Sequence, residues 1–412
     1  MTTPLYTRIS AMEPMMPPRA ELEDLAVEVI RESSALGASL HPLTRRAIAR
    51  FLRTINSYYS NLIEGHDTRP AAIERALKGE LSDEPDLRAR QIESRAHVEV
   101  ETLLDERLRD EPDLEIADER FLCWLHGEFY ARMPEEYHWV RRYESEERTK
   151  VIGGELRSEA IIVGRHHGPA PEALPRFLAR FGERYDPALF GDVEKLLAAA
   201  ASHHRLLWIH PFLDGNGRVT RLFTEAYLRR ARIDADGVWS LSRGLARSRD
   251  RYVDLLAGAD RERRDDYDGR GALSRSGLVS FCRFFLETAL DQIRYMRRLL
   301  NLDDLDERVA GYVALRHREM TLDGEPLPLE AGHVLREVVL RGEVPRGEAS
   351  RIAGMSVRTA RRLVSRLLDE GLLESESHRA PLRIGLPASA ASYYFPELYP
   401  EDLAGAAATR GA

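Results

Sequence analysis

Apolar residues recur at three- and four-residue steps through most of this chain, a rhythm that commits it to a mainly helical fold. Between Thr44 and Gly65 the residues Ile48, Phe51, Leu52, Ile55, Tyr59 and Leu62 fall on one helical face. Gly65 is placed to take the left-handed conformation that ends the helix, and Pro70 opposes its continuation. A more polar helix is expected through "RQIESRAHVEVETLLDERLRD", and buried ones from "FLCWLHGEFYARM" and "GDVEKLLAAAASHHRLLWIH". Only between Arg141 and Pro175 does the texture change. There "RTKVIGG" and "SEAIIVGRHHGPAPEALP" hold short β-branched runs broken by Gly and Pro, which predicts a small hairpin or flap.

With 412 residues the chain is too long for one ordinary domain, so two or three are expected. A formal charge of −8 argues against a globally basic nucleic-acid coat, although a local basic face stays compatible with DNA. The two cysteines, Cys123 and Cys282, are far apart and supply neither a disulfide framework nor a cysteine zinc site. Neither a signal peptide nor an apolar run of membrane-spanning length is evident, so a cytoplasmic protein without membrane partners is expected.

The C-terminal pattern is separate. Helices are expected over "LPLEAGHVLREVVLRG", "PRGEASRIAG" and "SVRTARRLVSRLLDEG", followed by a two-stranded wing, the layout of a winged helix-turn-helix. Arg358, Arg361, Arg362 and Arg366 line one side of the third helix, with Ser356 as its N-cap, so DNA is one partner to test. The other reading is a solvated basic face on a docking or dimerisation module.

Chemistry concentrates in "HPFLDGNGRVTR", residues 210–221. The loop opens a helix, where free N–H groups and the helix dipole attract anions. Gly215 and Gly217 let backbone approach a phosphate, Asn216 offers a side-chain donor, and Arg218 and Arg221 project toward the same helix end. Asp214 is a hard ligand suited to Mg²⁺, and His210 is a base of near-neutral pKa. Together they are the parts of an in-line transfer from a nucleotide. No GxxxxGK[ST] phosphate loop occurs. The histidine pairs at 166–167 and 203–204 lack the carboxylate spacing of a zinc site, and His204 reads as a core residue.

The loop resembles, at every specified position, the HxFx[DE]GNGRxxR motif of the Fic (fido-domain) family. The resemblance implies a mainly α Fic-type core with a β-hairpin flap that docks a target backbone. It implies transfer of AMP from ATP, with Mg²⁺, to a Ser, Thr or Tyr hydroxyl of a protein target and of the chain itself. It also implies His210 as general base and Asp214 as magnesium ligand. Gly215, Asn216, Gly217 and Arg218 would then hold the α- and β-phosphates, Arg221 would orient the γ-phosphate, and Phe212 would anchor the loop. Gly217, where a phosphotransferring branch has lysine, favours nucleotidyl transfer. "ARSRDRYVDLLAGAD" resembles the segment that packs on adenosine; Tyr252 matches, but Val253 replaces a second aromatic and Asp260 stands where some relatives carry Asn.

"SNLIEG" fits the family's inhibitory motif [ST]xxxE[GN] through Ser60, Glu64 and Gly65. The resemblance implies that Glu64 pairs with Arg221 and so misaligns the nucleotide. The expected organisation is a helical region over 1–115 with the inhibitory helix at about 44–65, a catalytic domain over 116–275 and a helical linker over 276–322, then a winged helix-turn-helix over 323–388 and a tail over 389–412. The competing reading is a DNA-binding transcriptional regulator whose nucleotide site senses without catalysis. The sequence leaves open the target protein and whether the chain forms a homodimer.

Overall fold

The structure, a computed structural model, describes residues 6–141, 147–164, 166–318 and 325–398. It is mainly helical, with strands confined to three two-stranded antiparallel ribbons among the described residues. After α1 (Glu23–Ala38), three helices begin on proline, which sets φ and lacks an N–H that would go unpaired there. They are α2 (Pro42–Ile63), α3 (Pro70–Leu77) and α4 (Pro85–Asp110). Gly65 takes φ +91° just beyond α2, and the His66 N–H returns to the Asn61 carbonyl at 2.9 Å, closing the helix end.

The periodicity of α2 holds through Ile48, Phe51, Leu52, Ile55 and Tyr59, all buried, but Leu62 is only half-buried. The last turns instead bury Asn56, Ser57, Ser60 and Asn61. Their partners are on α4: Asn56 Nδ2 donates to Glu101 Oε1 at 3.1 Å, Ser57 Oγ to the Ser94 carbonyl at 2.8 Å, and Asn61 Nδ2 to Ser94 Oγ at 3.0 Å. The polarity of α4 is therefore turned inward, burying Gln91, Glu93, Ser94, His97 and Glu101.

Next come α5 (Glu119–Ala131) and the region expected as a flap, which forms two ribbons. The first pairs β1 (Trp139–Arg141) with β2 (Arg148–Lys150), and the second pairs β3 (Ile162–Val163) with β4 (His166–His167). Residues 142–146 and 165 of that region lie outside the described residues. After α6 (Leu174–Tyr185) come α7 (Asp192–Ile209) and α8 (Asn216–Arg230), packed together around Trp208, Phe212, Phe223 and Tyr227. The shorter α9 (Leu241–Arg247) and α10 (Arg249–Ala259) lead to α11 (Arg275–Leu299). Expected as the start of a linker, α11 is a core helix: it packs on α1, α7, α9 and α10 and buries Phe281, Phe284, Phe285 and Ile293.

The remaining helices are α12 (Leu302–Arg318), α13 (Ala331–Arg341), the short α14 (Ala349–Ala353) and α15 (Val357–Asp369). A ribbon of β5 (Leu373–Glu374) and β6 (Arg383–Ile384) follows. Ser356 caps α15 by accepting the Thr359 N–H at 3.3 Å. Residues 388–394, expected as the edge of a wing and a tail, form α16 (Ala388–Tyr394), whose Tyr394 ring meets Tyr312 of α12 edge-on. The tail from 399 lies outside the described residues. Among the described residues no helix is long and apolar enough to cross a membrane.

Candidate active site

The loop between α7 and α8 is held in an unusual backbone path. His210 ends α7 at φ +49°, a left-handed conformation that costs a non-glycine residue about 1–2 kcal/mol and persists only under external restraint. Gly215 supplies φ +76° at the entry to α8, where a Cβ would also crowd Tyr130. Phe212 is fully buried, its ring stacked on His126 at 4.0 Å, as the sequence motif suggested. Asn216 also has a role within the loop. Its Nδ2 donates to the Phe212 carbonyl at 2.8 Å and its Oδ1 accepts the Phe212 N–H at 2.9 Å. The amide braces the loop, with Oδ1 and one of the two Nδ2 hydrogens committed to Phe212.

Two buried residues supply the restraint, and neither was identified from sequence. Arg157 Nε donates to the His210 carbonyl at 2.7 Å, Nη2 to that of Pro169 at 2.7 Å, and Nη1 to that of Glu159 at 2.8 Å. Its own N–H bonds the Pro211 carbonyl at 2.9 Å. One side chain thus ties His210 to the flap region, and burial lowers its guanidinium to about 10. His126 accepts the Gly154 N–H on Nδ1 at 2.8 Å and donates from Nε2 to the Asp214 carbonyl at 3.2 Å, a tautomer assigned from these partners. Burial lowers this imidazole to about 4, keeping it neutral.

His210 is half-buried, and its Nδ1 faces the Leu207 carbonyl at 3.2 Å. That partner favours the proton on Nδ1 and leaves Nε2 as the lone-pair nitrogen. Burial lowers the imidazole to about 4, so it is unprotonated at neutral pH. Asp214 keeps its side chain 43% exposed, with Oδ2 accepting from Tyr130 Oη at 2.6 Å and Arg218 Nη2 at 3.1 Å. Oδ1 has no hydrogen-bond partner among the described residues.

Both loop arginines are buried and both meet carboxylates. Arg221, 3% exposed, donates from Nε to Ser60 Oγ at 2.8 Å and from Nη2 to the Ser60 carbonyl at 3.0 Å and to Glu64 Oε1 at 2.7 Å. Ser60 and Glu64 therefore meet one guanidinium, one turn of α2 apart. The Glu64 carboxylate lies over the first turn of α8: a Cβ added at Gly217 would overlap it. Burial alone raises the Glu64 carboxyl, but Arg221, Arg218 and His66 outweigh it and hold it below its ordinary value. The second carboxylate was not anticipated. Glu93 of α4 pairs with Arg218 Nη1, and its other oxygen lies 2.5 Å from His66 Nδ1, two residues beyond Glu64.

Tyr252 presents no exposed ring face. It is buried with its ring packed against Phe281 and Phe284, and its hydroxyl is 2.7 Å from His203 Nε2 and beside Arg221. Val253 is exposed. The histidine pairs serve packing: His203 bonds Thr224 and Tyr252, His204 bonds the Leu256 carbonyl and Asp260, and His166 bonds the Trp208 carbonyl. No group of three His, Cys, Asp or Glu side chains suited to a metal occurs among the described residues.

Residues 116–228, which contain this site, match the model of the Fic/DOC family. The protein adenylyltransferase Fic of Drosophila willistoni is 38% identical over 81 residues, 20% of this chain and 16% of that protein. Its namesake from Nematostella vectensis is 42% identical over 81 residues, 19% of this chain and 18% of that protein. The match thus spans less than a fifth of those relatives' own length. Among solved structures, a Fic family protein from Desulfovibrio desulfuricans aligns with a TM-score of 0.49 and 18% identity over 93% of this chain and 98% of its own. A Fic domain containing signaling protein from Bacteroides thetaiotaomicron aligns with a TM-score of 0.47 and 20% identity over 67% and 95%.

Proposed function

We propose that this chain, whose residues 116–228 match the Fic/DOC family model, transfers AMP from ATP to a hydroxyl side chain of a protein, itself included. The observation that carries the reading is the convergence of an unprotonated His210, the Asp214 carboxylate and two arginines on the N-terminus of α8.

In this reading His210 Nε2 accepts the proton of the target hydroxyl as its oxygen attacks the α-phosphorus, and pyrophosphate departs with the bond it breaks. Arg157 and the Nδ1 contact hold the ring in place for that transfer. Arg218, Arg221 and the backbone at Gly215 and Gly217 would neutralise and orient the phosphates. Mg²⁺ fits the donor set: Asp214 offers one exposed carboxylate oxygen, as expected for an ion held mainly by substrate phosphates. Bound there, the ion would neutralise phosphate charge. Tyr252 serves as a support for Arg221.

The same contacts support autoinhibition. Glu64 occupies both the guanidinium of Arg221 and the volume over Gly217, so a γ-phosphate meets a negative charge where it needs a positive one. The test of the activity is incubation of the Glu64→Gly chain with ATP labelled on the α-phosphate and Mg²⁺. AMP is expected on the protein with Glu64→Gly and not with Glu64→Gly plus His210→Ala. A nucleotide sensor would bind ATP equally in both and label in neither.

DNA binding is proposed for the C-terminal module. Arg358, Arg361 and Arg362 of α15 are exposed without carboxylate partners among the described residues. Arg366, on the same side of the helix, is tied to Glu370 and to the Glu325 and Pro326 carbonyls. Electrophoretic mobility shift with random duplex DNA, lost in an Arg358→Ala, Arg361→Ala, Arg362→Ala triple variant, checks it.

A further inference from the structure

A cleft of about 1280 Å³ separates the N-terminal half of α2 from the β5–β6 ribbon. Its lining contains none of residues 210–221, and seven arginines against five carboxylates. Most of these charges compensate one another: Arg50 pairs with Glu374 at 2.6 Å, Arg53 with Asp105, and Arg383 with Glu376. Three cations do not. Arg46 of α2 and Arg109 of α4 are exposed and make no ion pair among the described residues. Arg346, before α14, donates to the carbonyls of Ala380 and Ser377, and no carboxylate among the described residues offsets its charge. Each of the three comes from a different wall.

We propose that this cleft binds a small phosphate-rich anion of the nucleoside polyphosphate class, distinct from the substrate at residues 210–221. Three uncompensated guanidiniums on three walls suit a ligand with several negative charges at separated positions, and the guanidinium fork suits phosphate oxygens. The volume accommodates a ligand of nucleotide size and not a duplex. The site also has a lever. Arg46, Arg50 and Arg53 stand on the helix that ends at Glu64, and the Arg50–Glu374 pair, about half exposed at both ends, ties that helix to β5. An anion entering the cleft competes with Glu374 for Arg50, which loosens the tie between α2 and the ribbon. This regulatory consequence rests on the reading of Glu64 given above.

The test is calorimetric titration of the full chain with inorganic tripolyphosphate at low ionic strength, with hydrogen exchange followed in the same samples. Binding is expected, with protection over residues 43–53 and 371–383 and none over 210–221. Arg46→Ala with Arg109→Ala, both at exposed positions, should weaken it by roughly tenfold or more, the scale of losing charge-assisted hydrogen bonds. No binding up to about 1 mM, unchanged affinity in the double variant, or protection confined to 210–221 would each overturn the site. Tight binding of a short duplex through the same arginines, with tripolyphosphate inert, would overturn it in favour of a nucleic-acid surface. If tripolyphosphate binds as described while Glu64→Gly labels no better than wild type, the autoinhibition reading falls and the site stands.

Discussion

Replacing Glu64 separates its two effects on the site, charge and volume. Glu64→Gln keeps the shape and removes the charge from Arg221; Glu64→Gly also clears the space above Gly217. Charge-assisted hydrogen bonds contribute about 1.5–3 kcal/mol. Because the Glu64 side chain is 38% exposed, solvent screens the pair and the lower figure applies, about 1.5 kcal/mol. That free energy is the part an incoming γ-phosphate no longer has to displace, so Glu64→Gln should raise the rate of self-labelling by roughly tenfold at subsaturating ATP. Glu64→Gly should exceed it by on the order of another tenfold, since phosphate alignment is also released. Arg221 retains Ser60 Oγ and the Ser60 carbonyl, so the fold should survive both changes. The assay is initial-rate incorporation of label from ATP labelled on the α-phosphate, with thermal unfolding measured with and without ATP. ATP should raise the unfolding temperature more in the variants than in wild type. Equal labelling by wild type and Glu64→Gly, with both folded, would refute the reasoning.

Glu93→Gln frees Arg218 as Glu64→Gln frees Arg221, and should raise ATP affinity when measured in the Glu64→Gly background; unchanged or weaker binding would show that Glu93 serves to position Arg218. Arg157→Met removes the tie to the His210 carbonyl and should lower kcat at least tenfold with ATP affinity nearly unchanged, read by labelling and calorimetry. Gly215→Ala forces a Cβ into φ +76° and should destabilise the fold by about 1–2 kcal/mol in urea unfolding. Between pH 7 and pH 4, labelling by Glu64→Gly should stay nearly level and then fall through about 4, as His210 gains its proton. Over that window the unfolded chain binds more protons than the folded one, whose His126 and His210 stay neutral down to about 4. Urea-unfolding stability should therefore decline as pH falls from about 6.5 toward 4.

What the sequence made legible follows the range of the interactions involved. Helix existence and the left-handed glycine at 65 depend on local pattern and turn chemistry, and these appear in the structure. The flap region and the helix–helix–helix–ribbon order of the C-terminal module were also local signals. Less legible were contacts made across the fold. Arg157 lies 53 residues before the carbonyl it holds, and Glu93 lies 125 residues before Arg218. Nothing near Arg157 marks it as buried. The bracing role of Asn216 was hidden for a related reason: only the folded loop shows that its amide pairs with the Phe212 backbone.

Glu93 did leave a trace. Glu93, His97 and Glu101 recur at four-residue steps, a charged stripe on one face of α4, and α8 carries Arg218, Arg221, Glu225 and Arg229 on the face it presents to α4. A polar stripe on a helix usually faces water. Here two such stripes meet, and α2 adds Asn56, Ser60 and Asn61 to the same layer. Several atoms in it have no hydrogen-bond partner among the described residues, including both ring nitrogens of His97, Glu101 Oε2, Asn61 Oδ1 and Glu225 Oε2. Burial raises the Glu225 carboxyl well above its ordinary value, with the nearby Glu101 adding to the shift. Unpaired buried polar groups cost about 1–3 kcal/mol each, and hydration returns that free energy when the layer opens. The C-terminal turns of α2 are thus held by a seam that gains from water entry, whereas its N-terminal half packs through Ile48, Phe51, Leu52 and Ile55. In the proposed autoinhibition, the polar turns are thus the part of the helix that opens most readily, and the apolar half is the more firmly docked. Hydrogen exchange should show faster opening over residues 56–66 than over 44–55, and equal protection along the whole helix would contradict that division.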